Sequence, residues 1–268
     1  MTQQLPIDKV RRNVVKGLAS TPLAGLPLAA ILADPNLAHA VANELEEITL
    51  TTTSGRTVKG ALAMPEVTPA PTLIVIHEWW GLNDHIKTMA AELAKEGYIA
   101  LAVDLYGGKI ATEPPVAAQY VGQIDQDVSI DIVSSWANWL RTHDKGTGRV
   151  GTIGWCFGGG WSLNTSIATP IDATIVYYGN VAKKANVLAN LKGPVLGHFG
   201  TEDRFINKKM VEGFEAEMEA AGKLESLTVH WYTADHGFSN PTAAIYDQED
   251  AKIAWGRTLD FFNTHLNE

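Results

Sequence analysis

Residues 149–160 read RVGTIGWCFGGG, an apolar run that passes directly into a glycine-rich turn. The run is typical of a buried strand, and the glycines after Phe157 are typical of a helix packed closely on that strand. A sharp strand-to-helix turn brings the two elements so close that Cβ atoms at the flanking positions would collide. The pattern G-x-nucleophile-x-G therefore predicts that Cys156 is lifted clear of the sheet at the end of a core strand.

On either side of this turn, the chain alternates between strand-like and helical segments. Runs that are apolar on both faces, as in a sheet covered on both sides, lie at residues 71–78, 98–107, 172–179, 193–200 and 226–233. Apolar residues recur at helical spacing in residues 85–98, 128–143, 206–223 and 251–268. This alternation predicts an α/β fold with a mostly parallel, doubly wound sheet. Residues 46–66, with a turn at Ser54-Gly55, predict an antiparallel hairpin at one edge.

Composition narrows the functional class. The chain has 268 residues, a formal net charge of −9 and one cysteine. An acidic protein without basic clusters is not expected to bind nucleic acid. A single cysteine excludes an intrachain disulfide and a thiolate metal cluster, and no histidine or carboxylate pair has metal-ligand spacing. We expect no metal, no other cofactor and no nucleic-acid partner.

The first forty residues have the layout of an export signal. Paired arginines at Arg11 and Arg12 precede an apolar stretch at residues 17–33 and a small-x-small pattern at residues 38–40. The pair resembles the twin-arginine signal, although Val10 and Val14 replace the Ser or Thr and the Phe of its usual form. We expect residues 1–40 to be a signal segment and residues 41–268 to form a single domain in the periplasm. The alternative is an extension that stays attached to a cytoplasmic protein.

The apolar stretch is not expected to anchor the protein. It has seventeen residues and is interrupted by Pro22 and Pro27, so it is too short and too broken for a comfortable membrane span. After removal of the signal, no stable membrane span is expected.

An acid and a histidine follow the cysteine, each after its own predicted strand. Asp203 comes after the strand at residues 193–200, and His236 after the strand at residues 226–233. This chain order matches hydrolases with a nucleophile elbow. His77, at a strand end, is the rival base, and Asp235 is the rival acid, disfavoured because neighbours in an extended segment point apart.

Two other interpretations of the cysteine stay open at this point. A lone cysteine in an apolar strand is most often a small buried hydrophobe, and a thiol-based redox protein would also use one, although normally with a resolving cysteine.

Together, these segments resemble the dienelactone hydrolase family of the α/β-hydrolase superfamily, from about Glu47 to the C-terminus. The matching motifs are HEWWGLN at residues 77–83, DLYGGK at 104–109, GWCFGGG at 154–160, TEDRFI at 201–206 and DHGF at 235–238. The resemblance implies an α/β-hydrolase fold and a cysteine-dependent hydrolase of esters or lactones that forms a thioester acyl-enzyme.

The resemblance also implies roles for individual residues. Cys156 would be the nucleophile, His236 the base and Asp203 the acid that orients the base. Glu78 matches the carboxylate that attends the resting cysteine. The backbone N–H groups of Phe157 and Trp79 match the oxyanion-hole donors.

Substrate contacts are predicted less directly. Family members that act on dienelactone hold its carboxylate with two arginines, and Gly108 and Asn240 stand at those places here. A dienelactone carboxylate is therefore in doubt, and we expect a small or medium apolar ester, lactone or thioester. Candidate contacts come from the motifs and their neighbours: Trp80, Lys109, Arg204 and Phe238. The alternative function is a non-catalytic binding protein with the same fold, which would be expected to have lost at least one member of the triad.

Overall fold

The computed structural model describes residues 26–267, in which one eight-stranded sheet is flanked by helices. The strands are β1 (Glu46–Thr51), β2 (Thr57–Ala63), β3 (Ala70–Ile76), β4 (Ile99–Val103), β5 (Gly146–Trp155), β6 (Ala173–Tyr177), β7 (Val195–Gly200) and β8 (Leu227–Tyr232). The helices are α1 (Leu28–Ala33), α2 (Pro35–Ala42), α3 (Asp84–Lys95), α4 (Pro114–Gly122), α5 (Gln126–Arg141), α6 (Phe157–Ala168), α7 (Ala185–Leu188), α8 (Lys208–Ala220) and α9 (Gln248–Leu266).

The sheet has the order β1-β2-β4-β3-β5-β6-β7-β8. The pairs from β4 to β8 are parallel, whereas β1 pairs with β2, and β2 with β4, in antiparallel fashion. The predicted α/β class, the mostly parallel sheet and the hairpin at one edge are therefore confirmed. The carboxyl ends of the parallel strands meet at one edge of the molecule, where ligands of such sheets bind.

Apolar side chains cover both faces of the sheet. One face packs on α3 and α9, with Leu73 and Ile153 among its fully buried residues. The other face packs on α5 through Ile74 and Leu101, and on α6 and α8 through Val176. Strands buried on both faces are what the continuous apolar runs predict.

Several helices lie outside the predicted segments. α4 begins with Pro114 and Pro115, and α7 has only four residues, so neither offers enough turns for a clear helical period. Within residues 26–267, no helix is both long and apolar enough to pass through a membrane.

The first described helix, α1, and most of α2 fall within the predicted signal segment, whose residues 1–25 lie outside the described part of the chain. We call residues 26–42 the N-terminal arm. Ile31, Leu32 and Val41 of the arm are buried, and the carbonyl of Ala38 accepts a hydrogen bond from Thr88 of α3 at 3.2 Å. The predicted boundary after residue 40 therefore falls inside α2, and it stays a prediction.

The arm also closes one side of a cavity of about 330 Å³. Leu28 and Leu32 of the arm face Met89 of α3 and Trp255 of α9 across it, and Trp155 at the end of β5 contributes to its wall.

Candidate active site

Cys156 stands at the tight turn between β5 and α6. Its backbone has φ 56° and ψ −116°, a conformation that L-residues rarely adopt and that is common at functional sites. A Cβ on Gly154 would lie 2.1 Å from the carbonyl oxygen of Gly158, and one on Gly158 would lie 2.3 Å from that of Ile76. These close contacts explain why positions 154 and 158 are glycine. The Cys156 side chain is half-buried, so it is not a fully buried hydrophobe.

His236 lies between Asp203 and Cys156. Its Nδ1 and the Oδ2 of Asp203 are 2.7 Å apart, and its ring hydrogen-bonds the Cys156 sulfur. Asp203 is buried, and its other oxygen accepts hydrogen bonds from the backbone N–H groups of Phe205 and Ile206 at 2.7 and 2.9 Å. These hydrogen bonds therefore hold the Asp203 carboxylate in the position in which it orients the His236 ring.

Asp235 is engaged elsewhere. Its carboxylate accepts the backbone N–H of His236 at 2.7 Å, while the imidazole of His236 turns to Asp203. The geometry thus brings Asp203, and not the adjacent acid, to the ring.

The electrostatics of this group favour a protonated imidazole. Burial lowers the pKa of His236, but hydrogen bonds to Asp203 and Cys156, together with their charges, outweigh burial and raise the pKa to about 10. Burial acts in the opposite sense on Asp203, yet the His236 and backbone hydrogen bonds leave the pKa of that carboxyl lowered. An imidazolium beside a sulfur atom is the partner that a thiolate requires.

Glu78 follows β3 and is 6% exposed. Burial raises its pKa to about 7, although the charge of His236 and a hydrogen bond from Asn240 act to lower it. The Nδ2 of Asn240 lies 2.8 Å from Oε2 of Glu78. The carboxyl therefore titrates close to neutral pH.

The two predicted oxyanion-hole N–H groups, of Phe157 and Trp79, belong to different elements. Phe157 is the first residue of α6, and the first N–H groups of a helix have no partner within it. The carbonyl of Glu78 accepts from His77 at 2.6 Å and from Gly81 at 3.3 Å. Because the N–H of a trans peptide points opposite to its C=O, these bonds direct the N–H of Trp79 to the other side.

His77 is fully buried and does not act as the rival base in this geometry. Besides the bond to Glu78, its Nε2 accepts the backbone N–H of Leu105 at 3.2 Å, and its ring stacks on Phe157 at 5.6 Å. Burial lowers its pKa, which favours the neutral ring that these two bonds require. It links the loops that follow β3 and β4.

Cys156 packs against the apolar core that includes Trp155 and Tyr178, and further aromatic residues lie in the neighbouring motifs. Trp79 and Trp80 are half-buried, whereas Trp155 and Trp161 are core residues. Phe205 is 73% exposed, and its ring meets that of His236 edge-on at 5.6 Å. An exposed aromatic ring therefore lies beside the base.

The other predicted substrate contacts lie at different depths. Lys109 and Arg204 are exposed, and the Lys109 ammonium lies 5.5 Å from the Tyr120 ring centroid. Phe238 is fully buried and packs on Tyr178 and Tyr232. Their roles in substrate binding stay predictions.

The sequence did not point to Tyr178, and it indicated other roles for Asn240, as the replacement of an arginine, and for His77, as the rival base. Tyr178 is fully buried, meets the His236 ring edge-on at 5.2 Å and donates or accepts a hydrogen bond with Ser239. The sequence signals for Asn240 were its place where the family has an arginine and its position shortly after His236, in the loop that follows β8. Among the described residues, no three His, Cys, Asp or Glu side chains are grouped as a metal site would need.

Comparisons with known proteins agree with this architecture. Residues 58–266 match the model of the dienelactone hydrolase family. A Saccharolobus solfataricus protein assigned as a carboxymethylenebutenolidase is 29% identical over 244 residues, which cover 77% of this chain and 94% of that protein. The carboxymethylenebutenolidase of Pseudomonas putida is 26% identical over 231 residues, or 81% of this chain and 95% of the relative.

The structural comparison gives the same result. The crystal structure of a Klebsiella pneumoniae protein assigned as a dienelactone hydrolase superposes with a TM-score of 0.74 at 27% identity. The match covers 81% of this chain and 97% of that protein.

Proposed function

Because the chain belongs to the dienelactone hydrolase family and is an ester or lactone hydrolase, we propose that it works through a thioester on Cys156. His236 is the general acid and base, and Asp203 orients it. The observation that carries the proposal is the position of one imidazole, bonded on one side to a buried carboxylate and on the other to the sulfur at the elbow.

Acylation begins from a thiolate and an imidazolium. The sulfur attacks the carbonyl carbon of the substrate, and negative charge develops on the carbonyl oxygen. The backbone N–H groups of Phe157 and Trp79 stabilise that charge. When the tetrahedral species collapses, the bond to the alcohol oxygen breaks, and His236 supplies the proton that this oxygen takes up.

Deacylation reverses the direction of proton transfer. The neutral imidazole removes a proton from water as the water oxygen attacks the thioester carbon. Collapse releases the carboxylic acid and regenerates the thiolate beside the imidazolium. Asp203 fixes the ring tautomer throughout and stabilises each imidazolium.

An uncharged, apolar substrate fits the mouth of the site best. Phe205 and the half-buried Trp79 and Trp80 offer apolar surface, while Gly108 and Asn240 provide no positive charge. We therefore propose small or medium apolar esters or lactones as substrates. Esters are favoured over amides because the expelled alcohol is the better leaving group.

The test is hydrolysis of short aryl esters and of a neutral lactone by the full chain. We expect Cys156→Ala and His236→Ala to lower kcat by at least about a thousandfold, and intact-mass measurement after rapid quenching to detect an acyl adduct only when Cys156 is present. Equal rates in all three proteins would support the alternative, a binding protein with the same fold.

We also propose that the N-terminal segment directs export through a twin-arginine route. The support is the order of paired arginines, apolar stretch and small-x-small pattern. Replacement of Arg11 and Arg12 by lysine should leave the protein in the cytoplasm, and fractionation of cells that produce the two forms checks this expectation. An unchanged distribution would favour an extension that stays attached.

A further inference from the structure

We propose that Asn240 is a positioning residue for the reaction, whose side-chain amide, oriented by Thr242, holds the Glu78 carboxyl beside His236. This role rests on the function proposed above, because it is measured through the pH dependence of ester hydrolysis.

Hydrogen bonds fix the amide of Asn240 in one orientation. Its Oδ1 accepts from the backbone N–H and from the hydroxyl of Thr242, at 2.9 and 2.7 Å. A backbone N–H can only donate, so the oxygen of the amide must face Thr242 and the nitrogen must face Glu78. Nδ2 lies 2.8 Å from Oε2 of Glu78. Asn240 and Glu78 are 7% and 6% exposed, so water competes little for this bond.

The backbone of Asn240 is tied to the loop that carries His236. Its N–H donates to the carbonyl of Gly237 at 2.9 Å, and its own carbonyl accepts from Ala243 at 3.0 Å. The bond from Asn240 to Glu78 therefore joins the loop of the base to the loop that follows β3. That second loop also presents the N–H of Trp79.

The surroundings of Glu78 explain why its position matters. His236 and the buried hydroxyl of Tyr178 act on it electrostatically, and both groups also face Cys156. Asp203 lies behind His236. The preceding residue, His77, is buried and faces the charge of Asp104. An ionised Glu78 held here favours the imidazolium of His236, and with it the thiolate.

Asn240 supplies a donor but no charge. A neutral donor holds the carboxyl without making it a permanent ion pair, so burial keeps the pKa of Glu78 at about 7. Loss of the donor would raise that pKa further, since a hydrogen bond to the charged form favours it. The acidic limb of the pH profile of kcat/KM should shift when the pKa of Glu78 rises.

The experiment is the pH dependence of kcat/KM for a neutral aryl ester with Asn240→Asp, a change that keeps the shape but removes the donor. Two carboxyl groups in contact share a proton, so we expect the acidic midpoint to rise by about one pH unit. At pH 7 this corresponds to a loss of about fivefold in kcat/KM. In a Glu78→Gln background, the same substitution should leave the midpoint unmoved.

A second pair of variants keeps the test valid if Asn240→Asp folds poorly. Thr242 is exposed, so Thr242→Val removes one of the two orienting bonds at small structural cost, and Thr242→Ser retains both. We expect an upward shift of the acidic midpoint in the valine variant alone.

The outcomes separate the two proposals. A profile unchanged in both Asn240→Asp and Thr242→Val, or a shift that persists without Glu78, overturns the role of Asn240 while Cys156→Ala remains inactive. Full activity of Cys156→Ala would instead overturn the thioester mechanism.

Discussion

Among single side chains, the buried carboxyl of Glu78 lowers the stability of the folded state when it is ionised. Its pKa is about 7 in the fold, against an ordinary value of 4.5, chiefly because of burial. Between these two values, the unfolded chain has released a proton that the folded chain retains. Stability from this group is therefore complete below pH 4.5 and lost as the pH rises through 7.

We expect Glu78→Gln to stabilise the protein at alkaline pH. The substitution keeps an acceptor for Asn240 and removes the charge, and the difference from the unmodified protein should approach 3 kcal/mol, on the order of two pKa units, at pH 8. Thermal unfolding at pH 5 and pH 8 measures it: the gap in Tm should be small at the lower pH and large at the higher.

A surface carboxyl gives the matched control for this measurement. Glu113 is exposed, so Glu113→Gln should shift Tm by little at either pH. If Glu78→Gln behaved in the same way, Glu78 would not bear a buried charge at pH 8.

The sequence could identify the residues that follow strands, but not the network that supports them. Cys156, Asp203 and His236 stood out because each comes directly after an apolar run, and the structure brings the three together. Asn240 and Thr242 act through the path of an irregular loop, which hydrophobic periodicity does not report. The catalytic roles of all these residues stay predictions.

At the level of elements, the contact between α6 and the end of β3 tolerates no added atom. A Cβ on Gly158 would lie 2.3 Å from the carbonyl oxygen of Ile76, so strand or helix would have to move. We expect Gly158→Ala to destabilise the fold by about 2 kcal/mol or more and to lower kcat with it. Chemical denaturation and ester hydrolysis provide the two readouts.

Gly213 of α8 offers the opposite case. It is exposed, and a Cβ there would have no atom within 4 Å. Gly213→Ala should therefore stabilise the protein by roughly 0.5–1 kcal/mol through helix propensity without changing kcat. A loss of stability in both variants would contradict the role assigned to the close approach at Gly158.

Elements with a strong hydrophobic period were predictable, and those defined by tertiary contacts were not. The run at residues 71–78 covers all of β3 except Ala70, and the run at 172–179 contains β6, because strands buried on both faces must be apolar throughout. The residues of α1 and α2 were interpreted only as part of a leader. An apolar stretch with Pro22 and Pro27 has the same composition whether it is a removable signal or packs on the folded domain.

At the scale of the whole molecule, the N-terminal arm lies in the predicted export signal and also packs on the fold. Removal of residues 1–40 would take away Ile31 and Leu32, which are 1% and 3% exposed, and each such side chain contributes about 1.5–3 kcal/mol when buried. It would also open the cavity beside Trp155. We expect residues 41–268 to unfold at a Tm lower by roughly 6 °C or more than residues 26–268.

Residues 26–268 already lack Arg11 and Arg12, so the difference in Tm between the two forms reports only on residues 26–40. Equal Tm values for the two forms would show that the arm adds nothing to the fold and would fit a signal that is removed after residue 40. The N-terminal sequence of the protein recovered from its producing cells reports the boundary directly.

The fold of the whole molecule was the most predictable level, because the order of strands and helices restricts the topology to few choices. The packing of the arm was the least predictable, because it depends on tertiary contacts, such as that of Leu32 with the surface of α3, which the local sequence does not report. Export stays a prediction on the pattern alone.

The chain has a single cysteine, and it is the half-buried one beside His236. A maleimide or a chloromethyl ketone can therefore label one atom per polypeptide and count functional centres in any preparation by mass. The same stoichiometry allows one fluorophore to be attached to each chain at Cys156.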